Sequence, residues 1–157
     1  MTDEIIENFG MDTVSENAAG FASSLMALAD YVDGSVEKVI RKACIDLYRA
    51  IVERTPVDTG RAKANWMIST SDRDLTIDHD DGFSFAEINA LIDEEAMGFS
   101  FELHDDVVII TNNLEYISEL ENGTSKQAPR GMVSVSLAEF TAHFNAALAG
   151  LEGLEPT

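Results

Sequence analysis

Apolar residues fall at helical spacing in three long stretches of the chain. Phe21, Leu25, Leu28 and Val32 stand four, three and four apart, the interval that lines one face of a helix. Asp33 and Gly34 interrupt that stripe, and a stronger one follows in Val36, Ile40, Ala43, Leu47 and Ile51, widened by Val39 and Cys44. Lys38, Arg41, Lys42, Asp46 and Arg49 take the other side, and Ser35 is placed to cap the start. Pro56 disfavours helix at Thr55. The spacing therefore predicts an amphipathic helix of about five turns ending near Arg54. The cleanest stripe is Val133, Leu137, Phe140, Phe144, Leu148 and Leu151, closed by Gly153 and Pro156. Ser136 with Glu139 resembles a capping box, which would start the regular helix a few residues late. Residues 83–97 suit a shorter helix with Phe85, Ile88 and Ile92 on one side, ended by Gly98.

Between these helices the period shortens. Residues 66–69 (WMIS) read as the start of a strand, and Phe99, Phe101 and Leu103 alternate with polar residues as in a half-buried strand. After a turn at Asp105 and Asp106, residues 107–111 (VVIIT) are apolar and β-branched and read as a central strand. The expected fold is α+β: long N-terminal and C-terminal helices packed on a small, mainly antiparallel sheet. Residues 1–16 mix acids with scattered apolar positions, so a mobile arm over 1–20 is expected ahead of a single domain over 21–157.

Two stretches carry dense turn chemistry. In residues 55–66 (TPVDTGRAKANW), Pro56 fixes one backbone angle, Asp58 and Thr59 can bond their own backbone, and Gly60 permits a positive φ. This turn should deliver Arg61 and Lys63 to the surface, with Trp66 as a core or interface anchor. In residues 111–133, Asn112 can cap a short helix with Glu115 as its reciprocal partner. Leu114, Ile117 and Leu120 supply its buried side, Tyr116 anchors it, and Asn122-Gly123 ends it in a left-handed cap. The loop 124–131 should then run extended, with Ala128 held by Pro129, presenting Lys126, Gln127 and Arg130.

Charge sharpens the picture. The chain has 157 residues, enough for one cored domain, and a net charge of −19. That balance excludes a protein that grips phosphate backbones or anionic membrane surfaces. Residues 36–66 nevertheless carry seven of the ten basic residues against four acids. A mildly basic segment between acidic flanks suits contact with an acidic neighbour, including another copy of the same chain, with Lys38, Arg41 and Lys42 foremost.

Candidate chemistry is sparse. Cys44 is the single cysteine, on an apolar helical face. His79, His104 and His143 lie in separate elements without metal-ligand spacing. Residues 71–82 (SDRDLTIDHDDG) fail as a calcium loop, because Gly82 at the sixth position puts Ile77 first and Ile88 twelfth. No phosphate-binding, dinucleotide-binding or nucleophile-elbow motif occurs. No catalytic, cofactor-binding or metal residues are expected. The N-terminus lacks the basic region of a signal peptide, and the uncharged run 17–29 is too short to span a bilayer, so a soluble, intracellular protein is expected.

The two turn-rich stretches together resemble the neck and tail-completion proteins of long-tailed bacteriophages, minor tail components encoded between the head-closure and tail-tube genes. The resemblance rests on TPVDTGRAKANW and on ITNNLEYISELENGTSKQAPRGM (residues 110–132), and spans roughly residues 36–145. It departs at Glu115, where the family commonly has a Pro before the Tyr. The resemblance implies a structural virion protein of the head–tail junction, assembled in the host cytoplasm. It implies a ring, typically six-fold, that completes or caps the tail tube and leaves an axial channel for DNA. Tail-tube, tail-terminator or head-closure and connector proteins would be its partners, and no cofactor is implied. On this reading the assembly residues are Lys38, Arg41, Lys42, Arg61, Trp66, Tyr116, Lys126, Gln127 and Arg130. Pro56, Asp58, Gly60, Asn112, Gly123 and Pro129 shape the turns that present them. The net charge alone also suits an acidic DNA mimic that inhibits a DNA-handling enzyme.

Overall fold

A computed structural model describes residues 2–31, 36–70, 79, 82–102, 104–105 and 107–152. Val32, Asp33, Gly34, Ser35, Leu103, Asp106, Gly153, Pro156 and most of the loop 71–82 lie outside the described residues. The fold is mostly helical, with a small two-stranded antiparallel sheet. In chain order the elements are α1 (Thr2–Tyr31), α2 (Val36–Arg54), α3 (Arg61–Ala64), β1 (Met67–Ser69), α4 (Phe85–Gly98), β2 (Ile109–Thr111), α5 (Ile117–Glu121) and α6 (Val133–Glu152). None of the described helices is long and apolar enough to cross a membrane.

The α2 stripe is buried as its spacing requires. Ile40, Ala43, Cys44, Leu47 and Ile51 are buried along α2, joined by Tyr48 and Val52. The first and last helices run against each other. Phe21 of α1 meets Phe140 and Phe144 of α6 at ring-centroid distances of 6.4 and 5.4 Å, both tilted. Polar side chains tie the same pair: Asn17 Nδ2 donates to Ser134 Oγ at 2.8 Å, and Ser24 Oγ donates to Asn145 Oδ1 at 2.7 Å. Of the arm expected over residues 1–20, residues 2–20 belong to α1, and Val14 packs against the core.

The sheet is smaller than expected. Met67, Ile68 and Ser69 pair with Thr111, Ile110 and Ile109, and there is no third strand among the described residues. β2 is therefore an edge strand rather than a central one, and Val107 just before it is exposed. Residues 99–102 form no strand either. Phe99 is the C-cap of α4, its ring buried in the core, and its carbonyl accepts from Arg41 Nε at 2.8 Å. The alternation of Phe99 and Phe101 reflects a connecting segment laid against helices, not a pleat.

Two helix starts also differ from expectation. α4 begins with a capping box in which Ser84 Oγ accepts from the Glu87 amide and the Glu87 carboxylate accepts from the Ser84 amide. Phe85, as the first helical residue, is then turned outward and 74 % exposed rather than on the buried side with Ile88. Gly98 belongs to the helix it was expected to end. In α6 the Ser136–Glu139 pair is no capping box. Ser136 Oγ donates to the Met132 carbonyl at 2.6 Å and accepts from Arg54 Nη1 at 2.7 Å, while Glu139 pairs with the same guanidinium.

Candidate assembly surface

The first turn is anchored from inside. Trp66 is only 6 % exposed; its Nε1 donates to Thr55 Oγ1 at 2.9 Å, and Thr55 Oγ1 donates to the Ile51 carbonyl at 2.8 Å. Tyr48 donates its hydroxyl to the Trp66 carbonyl at 3.1 Å. Burial pushes that hydroxyl's pKa up, and the Glu95 charge adds to the effect. These bonds pin both ends of the turn to α2. Gly60 takes φ 85, and a Cβ there would stand 2.8 Å from Ile88 Cδ1 of α4. Lys63 reaches back to the Glu53 carbonyl at 3.1 Å, and partial burial lowers its amine pKa against the opposing pull of Glu53.

The second turn is built differently from expectation. Asn112 does not cap a helix with Glu115. Its Oδ1 accepts from the Leu114 amide at 3.2 Å, a local turn, and its Nδ2 donates to the Ala62 carbonyl at 2.8 Å. α5 starts later, at Ile117. Its end is a left-handed cap: Gly123 has φ 87, its amide donates to the Leu120 carbonyl and the Thr124 amide to the Glu119 carbonyl. Residues 124–131 are coiled rather than extended. The Ala128 amide donates to Ser125, and Gly131 to Ala128, which folds the loop into two successive turns over the buried Ala128.

Glu121, the last residue of α5, organises the exit from this loop. Its Oε2 accepts from the Met132 and Val133 amides at 2.9 and 2.8 Å, and its Oε1 from the Ser134 amide at 2.8 Å. A carboxylate thus satisfies the free amides at the head of α6 and opposes the positive end of the helix dipole. Gly131, at φ 82, makes room: a Cβ would fall 2.4 Å from the Glu121 carbonyl oxygen.

The two turns meet. The Val57 amide donates to Gln127 Oε1 and Gln127 Nε2 donates to the Val57 carbonyl, both at 3.0 Å. With the Asn112–Ala62 bond, these contacts fasten segments far apart in sequence into one surface. Between them lies a groove of about 400 Å³ lined by Val57, Asp58, Arg61, Tyr116, Ser125 and Gln127 among others. Val57 and Tyr116 are exposed, at 42 % and 36 %. Lys126 and Arg130 stand exposed on the same loop as Gln127.

The structure therefore brings Arg61, Tyr116 and Gln127 to one groove, with Lys126 and Arg130 exposed on the loop that carries Gln127, and Gly60 and Gly123 in left-handed turns beside it. Trp66 sits behind them in the core. Lys38 and Lys42 are exposed on α2, Lys42 beside Asp46, and Arg41 is committed to the Phe99 carbonyl. Arg61 is only partly exposed, and its Nε is a buried side-chain polar atom without a hydrogen-bond partner. Glu121 escaped the sequence reading; an acid ahead of an uncapped apolar stripe was the available signal. Among the described residues no group of three His, Cys, Asp or Glu side chains could hold a metal ion. Compared with known proteins, the chain matches no family model, no curated protein and no solved structure.

Proposed function

We propose that this chain is a structural, non-catalytic component of a bacteriophage head–tail junction, forming a ring that completes or caps the tail tube. The observation that carries the reading is the Val57–Gln127 pairing. It fastens the two turn-rich stretches on which the family resemblance rests into one rigid, exposed surface. Behind the first turn, α2 supplies the scaffold through Tyr48 and Ile51. Charge supports the same reading: Lys126 and Arg130 are exposed in a chain of net charge −19, so an acidic neighbour meets cations here. Acidic side chains facing the channel would let DNA slide without sticking.

Native mass spectrometry of the purified chain, alone and mixed with tail-tube protein, tests the proposal. A closed ring or a tube-capping complex is the expected product. A chain that stays monomeric in both samples overturns it.

A further inference from the structure

We propose that the groove between the two turns receives a carboxylate side chain from a second copy of this chain, with Arg61 as its partner. This deepens the ring assembly proposed above and rests on it. Three observations converge. First, Arg61 Nε is buried without a hydrogen bond, and among the described residues no ion pair occupies the guanidinium. Arginine stays charged at any ordinary pH and presents a planar fork matched to a carboxylate; Nε is sealed within the chain, so the terminal nitrogens of this half-buried side chain are the ones a partner reaches. Arg41, Arg49 and Arg54 differ in this respect: they engage the Phe99 carbonyl, Asp93 and Glu139.

Second, the walls of the groove are two exposed apolar side chains, Val57 and Tyr116, which can exclude water from the ion pair. Gln127 is spent on the Val57 backbone and serves as a strut. Asp58 is exposed at the same groove and opposes an incoming carboxylate, leaving Arg61 as the cation of the groove lining.

Third, the chain carries 29 acidic against 10 basic residues, so a second copy is a concentrated source of carboxylates. The receiving groove and the donated carboxylate are different surfaces of one molecule. Such a contact is heterologous, the kind that builds a ring when the rotation between neighbours closes.

Zero-length coupling reads this contact. Arg61→Lys places an amine in the groove, and a carbodiimide joins it to any carboxylate that seats there. In a mixture of isotopically light and heavy chains, the expected product is a light–heavy cross-link from position 61 to an acidic peptide. Only cross-links within one chain, or none, overturn the proposal. In parallel, Arg61→Gln and Tyr116→Ser are each expected to weaken self-association about tenfold or more while melting like the parent. Tyr116 lies on the rim, so its replacement keeps the test valid even where Arg61→Gln unfolds the turn. A ring that forms with unchanged affinity in both variants sinks the groove contact and leaves the ring reading standing. A parent chain that builds no ring with tail-tube protein sinks both.

Discussion

Gly123 and Pro129 lie against each other across the loop that joins α5 to α6, so closely that a Cβ on Gly123 would stand 2.3 Å from the Pro129 carbonyl oxygen. The left-handed cap and the folded loop therefore require the same residue. Gly123→Ala and Gly123→Val should both destabilise the protein. The left-handed backbone alone costs about 1–2 kcal/mol for a residue with a Cβ, and the backbone clash adds to it. Each kcal/mol should lower the melting temperature by about 2–4 °C in a domain of this size. Gly98→Ala is the control, since its Cβ would meet open space at the end of α4. Thermal melts followed by circular dichroism that place Gly123→Ala level with Gly98→Ala would refute the cap.

The carboxylate of Glu121 predicts a graded series at the head of α6. Glu121→Ala removes the acceptor of three amides and should cost about 1–2 kcal/mol, the range of helix-cap and dipole effects. Glu121→Gln keeps one oxygen and should lose less. Urea titration gives the stabilities, and faster hydrogen exchange at Met132, Val133 and Ser134 would locate the effect.

The bond from Trp66 Nε1 to Thr55 Oγ1 should reveal itself as coupling. Trp66→Phe and Thr55→Val each strand a buried partner and should each cost about 1–3 kcal/mol. The double variant strands neither across this bond, so it should cost less than the two singles summed. Strict additivity in a double-mutant cycle would mean the bond contributes nothing.

Cys44 gives a pH dependence whose sign is fixed by burial, which pushes its thiol from 9.0 to about 12. The folded protein favours the neutral thiol. Stability from this site is full below about pH 9 and is lost as pH rises toward about 12. Cys44→Ala should flatten that alkaline decline in chemical denaturation. At pH 8, alkylation of the thiol should be slow in the native protein and fast in denaturant.

Reversal of the two loop cations tests the surface without touching the core. Lys126 and Arg130 are exposed and make no ion pair among the described residues. Lys126→Glu/Arg130→Glu should therefore melt within about 0.5 kcal/mol of the parent, the usual range for surface changes. It should nonetheless fail to join the tail-tube protein in native mass spectrometry. Normal complex formation would remove the loop from the assembly surface.

What the sequence disclosed follows from how local each signal is. The faces of α2 and α6 were legible because helical spacing repeats over several turns, as from Ile40 to Ile51 and from Val133 to Phe144. Gly60 and Gly123 were legible because a positive φ leaves few alternatives to glycine. The sheet was misread because short apolar alternation serves a covered connection as well as a strand. Phe99 and Phe101 pack inward without joining a ladder, and Arg41 takes the Phe99 carbonyl. The groove was legible only as two separate turns. The Gln127–Val57 bonds span 70 residues of sequence, and the Arg61 Nε acquires its isolation from burial, which no local pattern announces.

The pairing of the first helix with the last also bears on how the chain is made. The groups that hold α1 to α6, such as Asn17 and Ser134, are 117 residues apart, so the ribosome delivers one long before the other. During that interval α1 has α2 for company, and the apolar side carrying Phe21 and Leu25 still lacks its cover from Phe140 and Phe144. A nascent chain stalled ahead of α6 therefore presents a sticky helix to chaperones and to its neighbours on the same messenger RNA. Emergence of α6 closes that side, so the cover of Phe21 waits for a segment synthesised long after it.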